Sequence, residues 1–386
     1  MKNLLGKMTG SISLTLCLMG MYAMNVQAQK TSRDDSLVAS TSSTAINITN
    51  KFAPQPSSKV RLNFENWDHF LSGIVLNMGP AVRKRAPRVV GTGTRIITRD
   101  DSLYRFEGNK ILYTHMGRAE KDWLKTYVSD LEELSTQTDI TTLSMNDQLS
   151  YWYNLHNAAV ISLIAPKYPL KTPEKLKPLK NSSETLHDAK ILNVSGVPLS
   201  LRDIREKIVY PNWKNPLVIY GFHHGHLGGP SIAHRAYEHD RLHDMLNLNA
   251  AEFVNSFRGY RVGKIALLYK MATPFYFPNG ESDIRAHLKR YMRPEVYKLV
   301  ESYDALDWHK PLSQTADASG GVGLGTSSAP VTFVGRGGTS VSAAFGELLA
   351  ARRERIRLAR KRGYFTHSVT IEDIETSDTD LAKPVN

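Results

Sequence analysis

Cysteine is nearly absent: among 386 residues there is one, Cys17. It lies in an N-terminal segment that reads as a removable leader. Lys2 and Lys7 form a positive start, an apolar stretch runs from Ile12 to Met24, and Val26-Gln27-Ala28 offers a small residue for signal-peptidase cleavage after Ala28. The apolar stretch is shorter than the roughly 20 residues that a transmembrane helix needs. A lipid anchor on Cys17 is disfavoured by the bulky Leu16 before it. The expectation is a leader over residues 1–28 and an exported protein, periplasmic or secreted. The mature chain then contains no thiol, which excludes a cysteine nucleophile and a disulfide framework. Such a chain must be held together by its core, and it is long enough to form one large domain.

Acidic residues are also in deficit, 37 against 49 basic ones, for a formal net charge of +12. The body lacks a Lys/Arg stripe interleaved with aromatics, so no specific nucleic-acid partner is expected. There is no internal repeat and no H-E-x-x-H.

The composition divides the chain. Residues 29–58 are rich in Ser, Thr and Asn and read as a flexible lead-in. A folded body is expected over 59–312. The Gly/Ser-rich stretch 313–342 reads as a linker. Beyond it, 343–386 reads as a basic helix and tail. Phe345, Leu348, Leu349, Ile356 and Leu358 give that helix a ragged apolar stripe, and the basic run 352–362 suits contact with an anionic surface. An isolated helix of this length is marginal in water, so a solvated tail is the competing expectation.

Within the body, Ala119 to Leu134 reads as a helix, and Ser144 with Asp147 opens another that continues to Ala165. Ile191 to Leu199 reads as two short strands around Ser195-Gly196. Ser200 with Asp203 caps a short helix ended by Pro211. The apolar run Pro216 to Phe222 reads as a buried strand, and Val262 to Met271 as a further one. Helices are expected from Ser231, from Ala250 and within 282–303. Short mixed elements without regular βαβ alternation predict an α+β fold, a single domain of helices packed on a small mainly antiparallel sheet.

Two stretches could carry chemistry. Residues 222–243 hold six histidines: His223, His224, His226, His234, His239 and His243. Imidazole is the commonest metal ligand, and His223, His224 and His226 are the candidate set for a metal site. Gln148 to Val160 places Trp152 inward, with Asn154 and Asn157 three apart on one helical face. Two amides on a half-buried face need partners, at a pocket wall or at neighbouring loops.

Together these stretches resemble the domain of unknown function 547 family. Its helix reads roughly F-W-x-N-x-Y-N-A, where this chain has Tyr151-Trp152-Tyr153-Asn154-Leu155-His156-Asn157-Ala158. Its L-S-L-x-D-I-E-H corresponds to Leu199-Ser200-Leu201-Arg202-Asp203-Ile204-Arg205-Glu206, and its C-G-A-x-S-C-P to His224-Gly225-His226-Leu227-Gly228-Gly229-Pro230. A terminal Y-D-W-like turn corresponds to Tyr303-Asp304 and Asp307-Trp308. The resemblance covers roughly residues 60–311 and implies a cysteine-hydrolase-like arrangement of thiolate and imidazole. Here the family's two cysteines fall on His224 and Gly229, its histidine on Glu206 and the preceding glutamate on Arg205.

The expected function is therefore a pseudoenzyme: a non-catalytic exported relative that keeps a binding pocket around Trp152, Asn154, Asn157, Asp203, His224 and His226. Its partner would be a protein or a small ligand, and no cofactor is implied. The alternative enzyme uses Ser231 at a loop-to-helix junction, with backbone N–H groups for an oxyanion, His224 or His226 as base, and Asp203 or Glu206 to orient it.

Overall fold

One helix, Met145–Ile164, is buried on almost every side and organises the fold. Aromatic and aliphatic side chains surround its axis, and a helix apolar all round belongs inside a core. Ser144 opens it, its Oγ accepting from the Asp147 amide at 3.1 Å. The Arg118–Gln137 helix packs alongside through Leu124, Val128 and Leu131. The Tyr151 hydroxyl ties the two together by donating to the Leu131 carbonyl at 2.9 Å. The computed structural model describes residues 47–88, 102–317 and 343–364. The leader expected over 1–28, most of the 29–58 lead-in, most of the 313–342 linker and the end of the tail lie outside them.

The hairpin Leu192–Val194 with Val197–Leu199 turns through Ser195 and Gly196, both at positive φ (49° and 77°). That is the twist a two-residue hairpin turn requires. The next residues form a capping box: the Ser200 side chain accepts from the Asp203 amide, and the Asp203 carboxylate accepts from the Ser200 amide. Helical structure then runs on through a π segment, Ile204–Val209, to Tyr210–Asn212, so it includes Pro211 rather than stopping before it.

The fold is α+β, its strands divided among three small sheets. Val75–Leu76 pairs antiparallel with Lys110–Ile111, the hairpin stands alone, and Tyr260–Arg261, Lys264–Ala266 and Asp307–His309 form a mixed third sheet.

Other expected elements differ as well. Pro216–Gly221 is a 3-10 helix, not a strand. Asn215 caps it through the Leu217 amide, and the run is buried on all sides, so no two-residue alternation exists to mark a strand. The strand expected over 262–271 is only Lys264–Ala266, followed by the Leu267–Tyr276 helix. No helix starts at Ser231. The chain is irregular there until His239, and the helix Leu242–Val254 contains Ala250 within it.

The described ends are packed rather than loose. Asn47 caps the Ile48–Lys51 turn, and Phe52 is buried with its ring 5.2 Å from that of Trp152 at 82°. The Gln55 and Ser57 amides bond to the carbonyls of Thr141 and Thr142. After the body, the Thr315 and Ala316 amides bond to Lys171 and Gly225. The helix Ala343–Lys361 docks by its basic side chains. Arg355 is buried and donates to the carbonyls of Met78, Gly79 and Pro80, while Arg352 and Arg362 reach those of Asn77 and Val82. Leu348 and Ala359 are buried beside them, whereas Arg353, Arg357, Arg360 and Lys361 stay exposed. Among the described residues no helix is long and apolar enough to cross a membrane.

Candidate functional site

The amides singled out in the sequence act as staples. Asn154 Nδ2 donates to the Tyr237 carbonyl at 2.7 Å, and its Oδ1 accepts from the Tyr237 amide at 3.0 Å. Asn157 Nδ2 donates to the Gly221 carbonyl, and its Oδ1 accepts from the His223 amide, both at 2.9 Å. Asn157 thus fixes the start of the histidine loop, and Asn154 fixes the segment that returns after it. Trp152 is core, packed against Phe52 and Tyr151. Gly221 allows the close approach that this needs, since a Cβ there would lie 2.3 Å from the Tyr153 ring.

Asn157 leads to a buried basic cluster. His156 Nδ1 lies 3.1 Å from Asn157 Oδ1, and its Nε2 is 2.8 Å from Arg205 Nη1. The same Nη1 is 3.3 Å from His187 Nδ1, and His187 Nε2 is 3.2 Å from the His224 carbonyl. The rings of His187 and His224 are 5.6 Å apart, and those of His224 and His226 are 5.7 Å apart. His226 Nε2 meets Glu174 Oε1 at 2.9 Å, and this bond holds the Glu174 carboxyl below its ordinary value. Burial, with Arg205 beside them, holds His156, His187 and His224 well below the usual imidazole value. Burial pushes His223 down to about 3.

Asp203 and Glu206 do not join this cluster. Asp203 serves its capping box and pairs with Lys190 and Lys207. Burial alone would raise its carboxyl, but hydrogen bonds from Lys190, Ser200 and Lys207 hold it well below the carboxylate range. Glu206 is half-buried and bonds to Arg202 at 3.2 Å. Sequence reasoning missed His156, His187 and Glu174 as site residues, and met Arg205 only as a departure from a motif.

Among the described residues no group of three His, Cys, Asp or Glu is placed to hold a metal ion. The expected set His223, His224 and His226 is already engaged in part: His223 Nδ1 with the Pro230 carbonyl at 3.3 Å, and His226 with Glu174. The other histidines also point elsewhere. His239 meets Ser144 and Asp147, and His243 meets Asn247.

Ser231 sits in a second site. It is buried, and its Oγ donates to Glu252 Oε2 at 3.0 Å. The same oxygen accepts from the Asn109 amide at 3.2 Å and from Arg258 Nη2 at 3.3 Å. Arg258 in turn pairs with Glu252 Oε2. Among the described residues no imidazole is a hydrogen-bond partner of Ser231, and no helix N-terminus opens there. The expected histidine base and helix-end oxyanion donors are therefore not assembled around it. Ser231, Asn109 and Glu252 line a cavity of about 680 Å³, with Asn77, Asn249, Asn255 and Arg293 among its other polar residues. Its other walls include Met245, Leu248, Tyr291, Met292 and Tyr364, the last from the C-terminal helical segment. One buried atom of a lining residue, Glu252 Oε1, has no hydrogen-bond partner, whereas Arg293 Nε pairs with Glu295 Oε1 at 3.2 Å.

Residues 140–254 match the model of a family described as Protein of unknown function, DUF547. The match runs from the turn at Ile140 to the end of the Leu242–Val254 helix. It takes in Asn157, Arg205, the histidine loop, Ser231 and Glu252, but neither Asn109 nor Arg258. No curated protein and no solved structure matches the chain.

Proposed function

We propose that this chain, which belongs to the DUF547 family through residues 140–254, is an exported binding protein that holds a small molecule beside Ser231 without turning it over. The ligand would have an apolar body and one polar end. The cavity carries the reading: about 680 Å³ lies within the range of small-molecule sites, which combine mostly apolar walls with a few converging polar groups. Glu252 Oε1, buried without a hydrogen-bond partner, offers an acceptor to such a polar end.

Absence of turnover is supported by the chemistry of the serine. Its hydroxyl donates to a carboxylate that Arg258 already pairs, and no imidazole among the described residues bonds to that hydroxyl. Export is supported by the leader-like residues 1–28 and by a mature chain that then lacks cysteine. The family resemblance points the same way, with His224 and Gly229 standing where relatives are expected to carry cysteines.

Titration with anilinonaphthalene sulfonate, whose fluorescence rises in apolar cavities, tests the binding reading. Saturable enhancement in the wild type and its loss in Ala251→Trp, which fills the cavity from its wall, is the expected result. Indistinguishable titrations of the two proteins would refute it.

A further inference from the structure

Arg205 is buried, at 4% exposure, and no carboxylate pairs with it among the described residues. The two acidic groups whose charges reach it, Asp188 and Glu206, both pair with Arg202 instead, at 2.7 and 3.2 Å. Its side-chain hydrogen-bond partners among the described residues are imidazoles, His156 Nε2 at 2.8 Å and His187 Nδ1 at 3.3 Å.

A guanidinium can only donate, so both imidazoles accept at those atoms. This assigns the tautomers around it. His156 carries its proton on Nδ1, directed to Asn157 Oδ1, and His187 carries its proton on Nε2, directed to the His224 carbonyl. The imidazoles thus leave Arg205 without a directly paired counter-charge, and a buried charge without one is costly. Next to His187 stands His224, whose Nε2 is buried without a partner, and beyond it His226, whose Nδ1 is likewise unpartnered. Glu174, a carboxylate at this edge, is taken by His226 Nε2. His187 and Glu174 are only half-buried and form the edge of the cluster that reaches solvent.

We propose that this cluster is a binding site for a small oxyanion, a carboxylate or phosphate group held between the Arg205 guanidinium and His224 Nε2. Charge-assisted bonds from arginine to an oxyanion are the strong ones, and the anion supplies the missing counter-charge. The site shares no lining residue with the cavity beside Ser231, so it stands or falls independently of that reading.

The test is an NMR titration of the whole mature chain with inorganic phosphate and, separately, with acetate. The ring signals of His187 and His224 are followed, with sodium chloride at equal ionic strength as control. A saturable shift with either oxyanion supports the proposal. Phosphate alone identifies a phosphoryl ligand, acetate alone a carboxylate, and both identify a site for either. Binding should weaken at least about tenfold in Arg205→Met, which loses a charge-assisted hydrogen bond. Because Arg205 is also packed in the core, His224→Asn read at the His187 ring is the second variant, with the same expected loss. Shifts no larger than those with chloride, or equal affinity in wild type and a folded variant, would overturn the proposal.

Discussion

Ser231 and Glu252 are joined by a hydrogen bond of 3.0 Å in which the serine is the donor. In a serine hydrolase the group at that position withdraws a proton during reaction, and its own basicity sets how well it does so. Here the carboxylate is paired by Arg258, which also donates to the serine oxygen. The hydroxyl is held as a link between Glu252, Arg258 and the Asn109 amide, in the wall of a cavity.

The folded domain includes residues that composition alone assigns to a lead-in. Phe52 fills a gap against Trp152, and both rings are almost fully buried. Phe52→Ala should cost about 3–5 kcal/mol, the usual range for emptying an aromatic site in a core. Urea denaturation checks this through the midpoint, with the slope unchanged. A loss under about 0.5 kcal/mol, as at an exposed site, would show that the segment is not part of the core.

Arg355 anchors the C-terminal helix through three carbonyls of the 78–80 segment. Arg355→Leu removes these donors and leaves buried acceptors, at about 1–3 kcal/mol for each acceptor left without a partner. Limited proteolysis should then cut within 343–364 well before the rest of the domain. Equal protection of that helix in both proteins would contradict the docking described.

Acid should destabilise the protein before its carboxylates titrate. Burial pushes His223 and His287 from 6.5 to about 3, and His156, His187 and His224 move the same way. Each folded-state value lies below the unfolded one, so the unfolded chain binds more protons between the two. Stability is fully present above about pH 6.5 and is lost as pH falls toward about 3, by roughly 1.4 kcal/mol per pH unit for each such histidine. Tm should fall steeply from about pH 6.5 to about pH 4, and the fall should be shallower in His287→Phe. A flat wild-type profile over that range would count against the buried neutral imidazoles.

Elements set by local chemistry were readable in the sequence. Ser144 with Asp147 and Ser200 with Asp203 lie three residues apart and cap as their spacing predicts. Ser195-Gly196 turns its hairpin for the same reason. What depends on distant partners was not readable. Pro216–Gly221 is buried on all sides, so its pattern does not separate strand from helix. Arg355 reads as part of a solvated basic run, and its partners lie more than 270 residues away in the chain. In the histidine loop, Asn157, His224 and His226 were legible from motifs. His187 and Glu174 come from segments without a pattern, and they reach the loop only through the fold. Ser231 shows the limit most plainly. Its neighbours Pro230 and Gly229 suggest a helix start, whereas its hydroxyl is claimed by Glu252 and Arg258 from farther along the chain.

The most direct test of binding without turnover is exposure of the folded protein to a fluorophosphonate, followed by peptide mass spectrometry. The account predicts that Ser231 remains unmodified while the cavity still accepts the fluorescent dye. A stoichiometric adduct on Ser231, absent from the denatured protein, would contradict it.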